Sequence, residues 1–158
     1  MVERIRDALI QADPAHAEAY ERNAAAYVAK LSALDADFRS GLSGCALDTI
    51  IVGHDSFAYT GARYGFASLA IADVHGGELS ARAMADISDA VDQLGIQHVF
   101  VETLTSPKLS ETIARETGAE MLLLDTIHGL TSDATEDPGY ISLMRENLNN
   151  FRTALQCP

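Results

Sequence analysis

No part of this sequence holds an apolar run near the roughly 20 residues a membrane-spanning helix needs, so no transmembrane segment is expected. The opening residues, Met1-Val2-Glu3-Arg4-Ile5-Arg6-Asp7, read as a helix and lack the apolar stretch of a secretory signal. Basic side chains are scarce: 11 Lys and Arg stand against 23 Asp and Glu, a net charge of −12. A field of that sign repels phosphate backbones and argues against nucleic acid as a partner. Internal repeats, low-complexity tracts and an interdomain linker are all missing, and so is a glycine-rich phosphate loop. Cysteines number two. What is present is a chain of 158 residues, 47% hydrophobic, which excludes disorder and suffices for one domain with a buried core.

Turn residues punctuate the chain at regular intervals. Asp13-Pro14 reads as an N-cap with proline at the first helical position. The helix it opens carries Tyr20, Ala24, Tyr27, Leu31, Leu34 and Phe38 at alternating spacings of four and three, one apolar stripe. From Pro14 to Ser40 it would run about 40 Å at about 1.5 Å per residue, roughly the diameter of a whole domain of this size. Gly41 and Gly44 end it. The period then changes. Thr49–Val52, Leu69–Ala72, His98–Val101 and Met121–Leu124 read as short apolar strands. Between them lie helices over Phe57–Tyr64, after Ser80 with Met84, Ile87, Val91 and Leu94 on one face, and after Ser106-Pro107 through Leu109 and Ile113. Asp137-Pro138 opens a last helix bearing Ile141, Met144, Leu148, Phe151 and Leu155, after a polar loop from Gly129 to Asp137. Strands and helices that alternate in this way predict an α/β fold: a three-layer α/β/α lobe with a four-stranded parallel sheet, order 2-1-3-4, preceded by the long helix.

Ligands of open α/β sheets bind beyond the carboxyl ends of the strands. Those ends are occupied by His54, Asp73, Glu102 and Asp125, one imidazole and three carboxylates, which are donors suited to a borderline divalent cation. Aspartates at strand ends also cap turns, and that is the expected role of Asp73 and of Asp55. Glu102 fits either an acceptor that orients His54 or a group that bonds backbone amides where the third strand turns. His75 and His128 lie in loops near the same edge, where solvated histidines are the default. His16 and His98 lie away from it and receive no role.

Several segments resemble the C-terminal lobe of the zinc/manganese solute-binding proteins of ABC uptake transporters. They are Ala12-Asp13-Pro14 with Tyr20-Glu21-Arg22-Asn23, then Val52-Gly53-His54-Asp55-Ser56-Phe57-Ala58-Tyr59 with Tyr64-Gly65. Val99-Phe100-Val101-Glu102, Leu124-Asp125, Tyr140–Met144 and Asn147-Leu148 follow in the same order. The resemblance implies two lobes joined by one long helix, with the metal held between them. On it, residues 1–41 are the backbone helix region, 42–158 the C-terminal metal-binding lobe, and the N-terminal lobe precedes Met1. His54 and Asp125 match the C-terminal lobe's pair of metal ligands. Their partners, usually two histidines, belong to the other lobe, so this chain carries a half-site and binds weakly. An imidazole at position 54 favours zinc, whereas the oxygen donor Asp125 also suits manganese or ferrous iron. The implied function is capture of zinc outside the cytoplasmic membrane, by a periplasmic or lipid-anchored protein, and delivery to an ABC permease without turnover. Apolar helix surface exposed by the absent lobe allows a homodimer.

Related receptors often tether their final helix by a disulfide, and an exported protein favours a bond between Cys45 and Cys157 over two unrelated thiols. Two other functions compete. A small α/β hydrolase would use Ser56, His54 and Asp125, although Gly53-His54-Asp55-Ser56-Phe57 lacks the second glycine of a nucleophile elbow. A nucleotide-binding module ranks last for want of a phosphate loop.

Overall fold

The computed structural model describes residues 1–71, 81–103, 106–129 and 139–158. The elements follow the order helix α1 (Val2–Ala12), a 3₁₀ turn (Pro14–His16), α2 (Ala17–Gly41), β1 (Thr49–Val52), α3 (Ala58–Tyr64), β2 (Ala67–Ala70), α4 (Ala81–Leu94), β3 (His98–Glu102), α5 (Lys108–Thr117), β4 (Glu120–Leu124) and α6 (Tyr140–Ala154). The chain divides into two compact units, Met1–Asp37 and Phe38–Pro158.

In the first unit the long helix starts three residues later than its sequence pattern suggests. Asp13 makes no side-chain capping bond; its Oδ2 instead pairs with His16 Nδ1 at 2.7 Å and accepts the Tyr20 hydroxyl at 2.9 Å. That hydrogen bond raises the Tyr20 phenol pKa. With its carboxylate so engaged, Asp13 introduces the 3₁₀ turn at Pro14, and α2 opens at Ala17.

The second unit is a four-stranded sheet in the order β2-β1-β3-β4, every pair parallel, the expected α/β architecture. Side chains alternate across it. Ile51 and Val99 face a cluster with Ile87 and Val91 of α4 and Ile113 of α5. On the opposite face Phe151 of α6, 0% exposed, is the hub of the core. Its ring lies 5.1–6.5 Å from those of Phe38, Phe57, Phe66 and Phe100.

The start of β2 and the end of α4 depart from the sequence pattern. β2 begins at Ala67, two residues before the run that suggested it, because Gly61 brings the chain straight from α3 into the ladder. Phe66 N–H donates to Gly61 O, and Ala67 N–H to Asp48 O. A Cβ on Gly61 would lie 2.3 Å from the Phe66 carbonyl oxygen, so only glycine permits that approach. Leu94, placed on the inner face of α4 by its spacing, is exposed; Ile96, beyond the left-handed Gly95, is buried instead. Ser80 and Asp137-Pro138, read as helix starts, lie outside the described residues.

A disulfide joins Cys45, before β1, to Cys157, after α6. It closes a loop of 112 residues in sequence separation. Among the described residues no helix is long and apolar enough to cross a membrane.

Candidate metal site

β1 ends on buried Val52, and the chain then turns sharply through Gly53-His54-Asp55-Ser56 before Phe57 enters the core. The turn is held from beneath by Glu102, the last residue of β3, which is only 3% exposed. Its Oε1 accepts the His54 backbone N–H at 2.9 Å, and its Oε2 accepts the Ser56 hydroxyl at 2.9 Å. Ser56 Oγ lies 3.0 Å from His54 Nδ1, and Ser56 N–H donates to His54 O at 2.8 Å. Asp55 accepts the Ser68 hydroxyl of β2. The His54 ring itself is exposed at the carboxyl edge of the sheet.

The tip of β4 is fastened by a different device. Asn147 of α6, 1% exposed, accepts the Asp125 N–H through Oδ1 and donates to the Asp125 carbonyl through Nδ2, both at 2.8 Å. Asp125 Oδ1 accepts the Ile127 N–H at 2.7 Å. That bond holds Ile127 at φ +57°, a left-handed conformation that a β-branched residue rarely adopts. Backbone strain of this kind costs about 1–3 kcal/mol and persists where surrounding bonds enforce it.

His54 and Asp125 therefore share one edge of the sheet but are not adjacent. With the order β2-β1-β3-β4, β3 and its Glu102 stand between them, so the strand tips are about 10 Å apart at the usual spacing of about 4.8 Å. Asp73 and His75 lie outside the described residues. His128 is exposed, three positions beyond Asp125. His98 sits at the start of β3, at the opposite edge, with Nε2 3.9 Å from Glu120. Among the described residues no group of three or more His, Cys, Asp or Glu side chains is arranged to hold a metal ion.

The hydrolase reading fails on this geometry. The Ser56 proton is directed at Glu102, not at His54, and no hydrogen bond joins His54 to Asp125 among the described residues. Sequence reasoning also missed two contributors. Asn147 could have been suspected as an amide on an otherwise apolar helix face, next to Leu148 and one turn from Phe151. Nothing local marked Ser56 as the bridge between His54 and Glu102.

The family model of the periplasmic component A of zinc-uptake complexes matches residues 1–154. The chain belongs to this family. Within this zinc-uptake family it is 34% identical over 154 residues to the zinc-binding protein AdcA of Streptococcus pyogenes, covering 96% of this chain and 30% of that protein. It is 30% identical over 156 residues to the high-affinity zinc uptake system protein ZnuA of Bacillus subtilis, covering 98% of this chain and 49% of that protein. The chain thus spans less than half of either relative. Among solved structures, the Zn(II)-bound ZnuA-like domain of Streptococcus pneumoniae AdcA superposes with a TM-score of 0.78 at 32% identity, covering 97% of this chain and 58% of that one. Members of this family are named for zinc binding and uptake, and the hydrolase alternative finds no support among them.

Proposed function

We propose that this chain is the C-terminal lobe, with the backbone helix, of an extracytoplasmic receptor that captures zinc and hands it to an ABC permease. The observation that carries the reading is an imidazole and a carboxylate at the carboxyl edge of one parallel sheet, in a chain of the zinc-uptake family. Zinc is the cargo, and nothing is turned over. His54 offers a ring nitrogen. Asp125, whose Oδ1 is engaged by Ile127, offers Oδ2. A span of about 10 Å between strand tips is too wide for the backbone to matter, but side chains leaning inward from both tips can share one ion. Two donors leave a four-coordinate zinc ion half satisfied. The remaining donors come from the part of the receptor this chain does not span, an N-terminal lobe facing residues 42–158 across the ion. The Cys45–Cys157 disulfide supports an oxidising compartment, such as the periplasm or the outer surface of a lipid-anchored protein. The oxygen donor also admits manganese or ferrous iron, with zinc favoured by the imidazole.

Isothermal titration calorimetry of the chain with zinc and with manganese tests the reading. Weak, saturable zinc binding that disappears in His54→Ala is the expected result, with less heat from manganese. Undiminished zinc binding by His54→Ala overturns it. Size-exclusion chromatography under the same conditions reads whether a second copy supplies the missing donors.

A further inference from the structure

Ser56 has one proton and two neighbours that compete for it: Glu102 Oε2 at 2.9 Å and His54 Nδ1 at 3.0 Å. A carboxylate can only accept, so the serine proton goes to Glu102. The Ser56 oxygen then turns lone-pair density towards His54 Nδ1. Two lone pairs facing each other at 3.0 Å repel, and the contact is a hydrogen bond only if Nδ1 carries the hydrogen. A neutral imidazole has one N–H, which leaves Nε2 as its lone-pair nitrogen.

We propose that Ser56 is a positioning residue that locks His54 in the Nδ1–H tautomer and so presents Nε2 as the metal-donor nitrogen. The lock is anchored in the sheet. One buried carboxylate at the end of β3 holds the His54 backbone through Oε1 and the ring through Ser56 on Oε2. Backbone and ring are therefore referred to the same rigid point. A histidine side chain free in water favours the opposite tautomer, with the hydrogen on Nε2, so Ser56 works against the intrinsic preference. The gain is a ring whose lone pair is aimed outward before the ion arrives. The tautomer assignment stands on the apo geometry alone; its consequence for zinc rests on the function proposed above.

The test is long-range proton–nitrogen NMR correlation on the ¹⁵N-labelled, metal-free chain, at a pH where the His54 ring is neutral. Nδ1 of His54 should show the shift of a protonated nitrogen and Nε2 that of a bare one. Ser56→Ala should move His54 towards the Nε2–H form, and Ser56→Thr should retain the parent pattern. Glu102→Gln gives a second route. Its amide oxygen must still accept the His54 N–H, so its NH₂ donates to Ser56, whose hydroxyl hydrogen then turns to Nδ1. This variant too should shift His54 to Nε2–H. Zinc affinity should fall about tenfold in Ser56→Ala, the lower end for partners behind a metal-binding histidine, and stay near the parent value in Ser56→Thr. An Nε2–H ring in the parent chain, or a tautomer indifferent to both Ser56→Ala and Glu102→Gln, overturns the proposal. The locked tautomer together with zinc that leaves the His54 signals untouched would sustain Ser56's role in setting the ring and instead overturn His54 as a ligand.

Discussion

The two compact units of this chain obey the same amphipathic patterning and bury very different amounts of it. In Met1–Asp37, α1 has no buried residue, and Met1, Ile5, Leu9 and Tyr27 are exposed. An apolar groove of about 410 Å³, lined by Val2, Ile5 and Leu9 of α1 with Tyr20, Ala24 and Tyr27 of α2, stays open. In Phe38–Pro158, by contrast, Ile51, Val52, Val99, Phe100, Ile113, Leu124 and Phe151 have no accessible surface. A sheet covered on both faces encloses side chains from every direction. A helical segment below about 40 residues has too little interior to do so. An apolar stripe thus records that a face is to be covered, and says nothing of whether its own unit covers it.

The contrast can be broken most forcefully at Phe151. Truncating this hub by Phe151→Ala should cost about 3–5 kcal/mol in urea unfolding of the chain, since four aromatic rings lose their common neighbour. A cost near zero would mean that the sheet unit is no better packed than the helical one. The disulfide comes next. Reducing it, or replacing both cysteines by alanine, should cost about 2–5 kcal/mol, read as a lower unfolding midpoint with the sheet's circular dichroism otherwise retained. The loop-entropy model gives about 4.7 kcal/mol for loops of about 100 residues, close to the 112-residue separation here. The smallest effect belongs to the first unit. Leu9→Ala, at a side chain 43% exposed, should change stability by about 0.5 kcal/mol or less in the same assay. A loss comparable with that of Phe151→Ala would show that α1 is covered in solution.

A second contrast separates the two strand tips of the candidate site. The β1 tip is secured by a charged side chain at the end of the neighbouring strand, Glu102, and the β4 tip by a neutral amide on a helix, Asn147. Both anchors are buried. Rigid support behind His54 and Asp125 suits the capture proposed above, because a side chain already aimed loses less freedom on binding.

Much of this was legible in the residues. Short apolar runs alternating with helical patterns identified four strands and their parallel arrangement. Left-handed glycines at 65, 95 and 118 stand directly after the ends of α3, α4 and α5. The strand ends marked His54, Asp73, Glu102 and Asp125 as candidates, and only the resemblance to the family's C-terminal lobe singled out His54 and Asp125 among them. Local sequence misled where a contact displaced a propensity: Asp13 bonding to Tyr20 in place of capping, Gly61 pulling β2 forward, Leu94 giving way to Ile96.

Periodicity and turn chemistry act over a few neighbours, so the chain alone determined its elements, their parallel arrangement and the residues at their tips. The tertiary structure decided what lies between and behind those tips. It set Glu102 between His54 and Asp125, gave Ser56 a carboxylate 46 residues away and gave Asp125 an amide 22 residues away. Such bonds depend on strand register and helix docking to within an ångström or so, because a hydrogen bond forms only over a narrow range of distance and angle. No spacing along the chain carries that information.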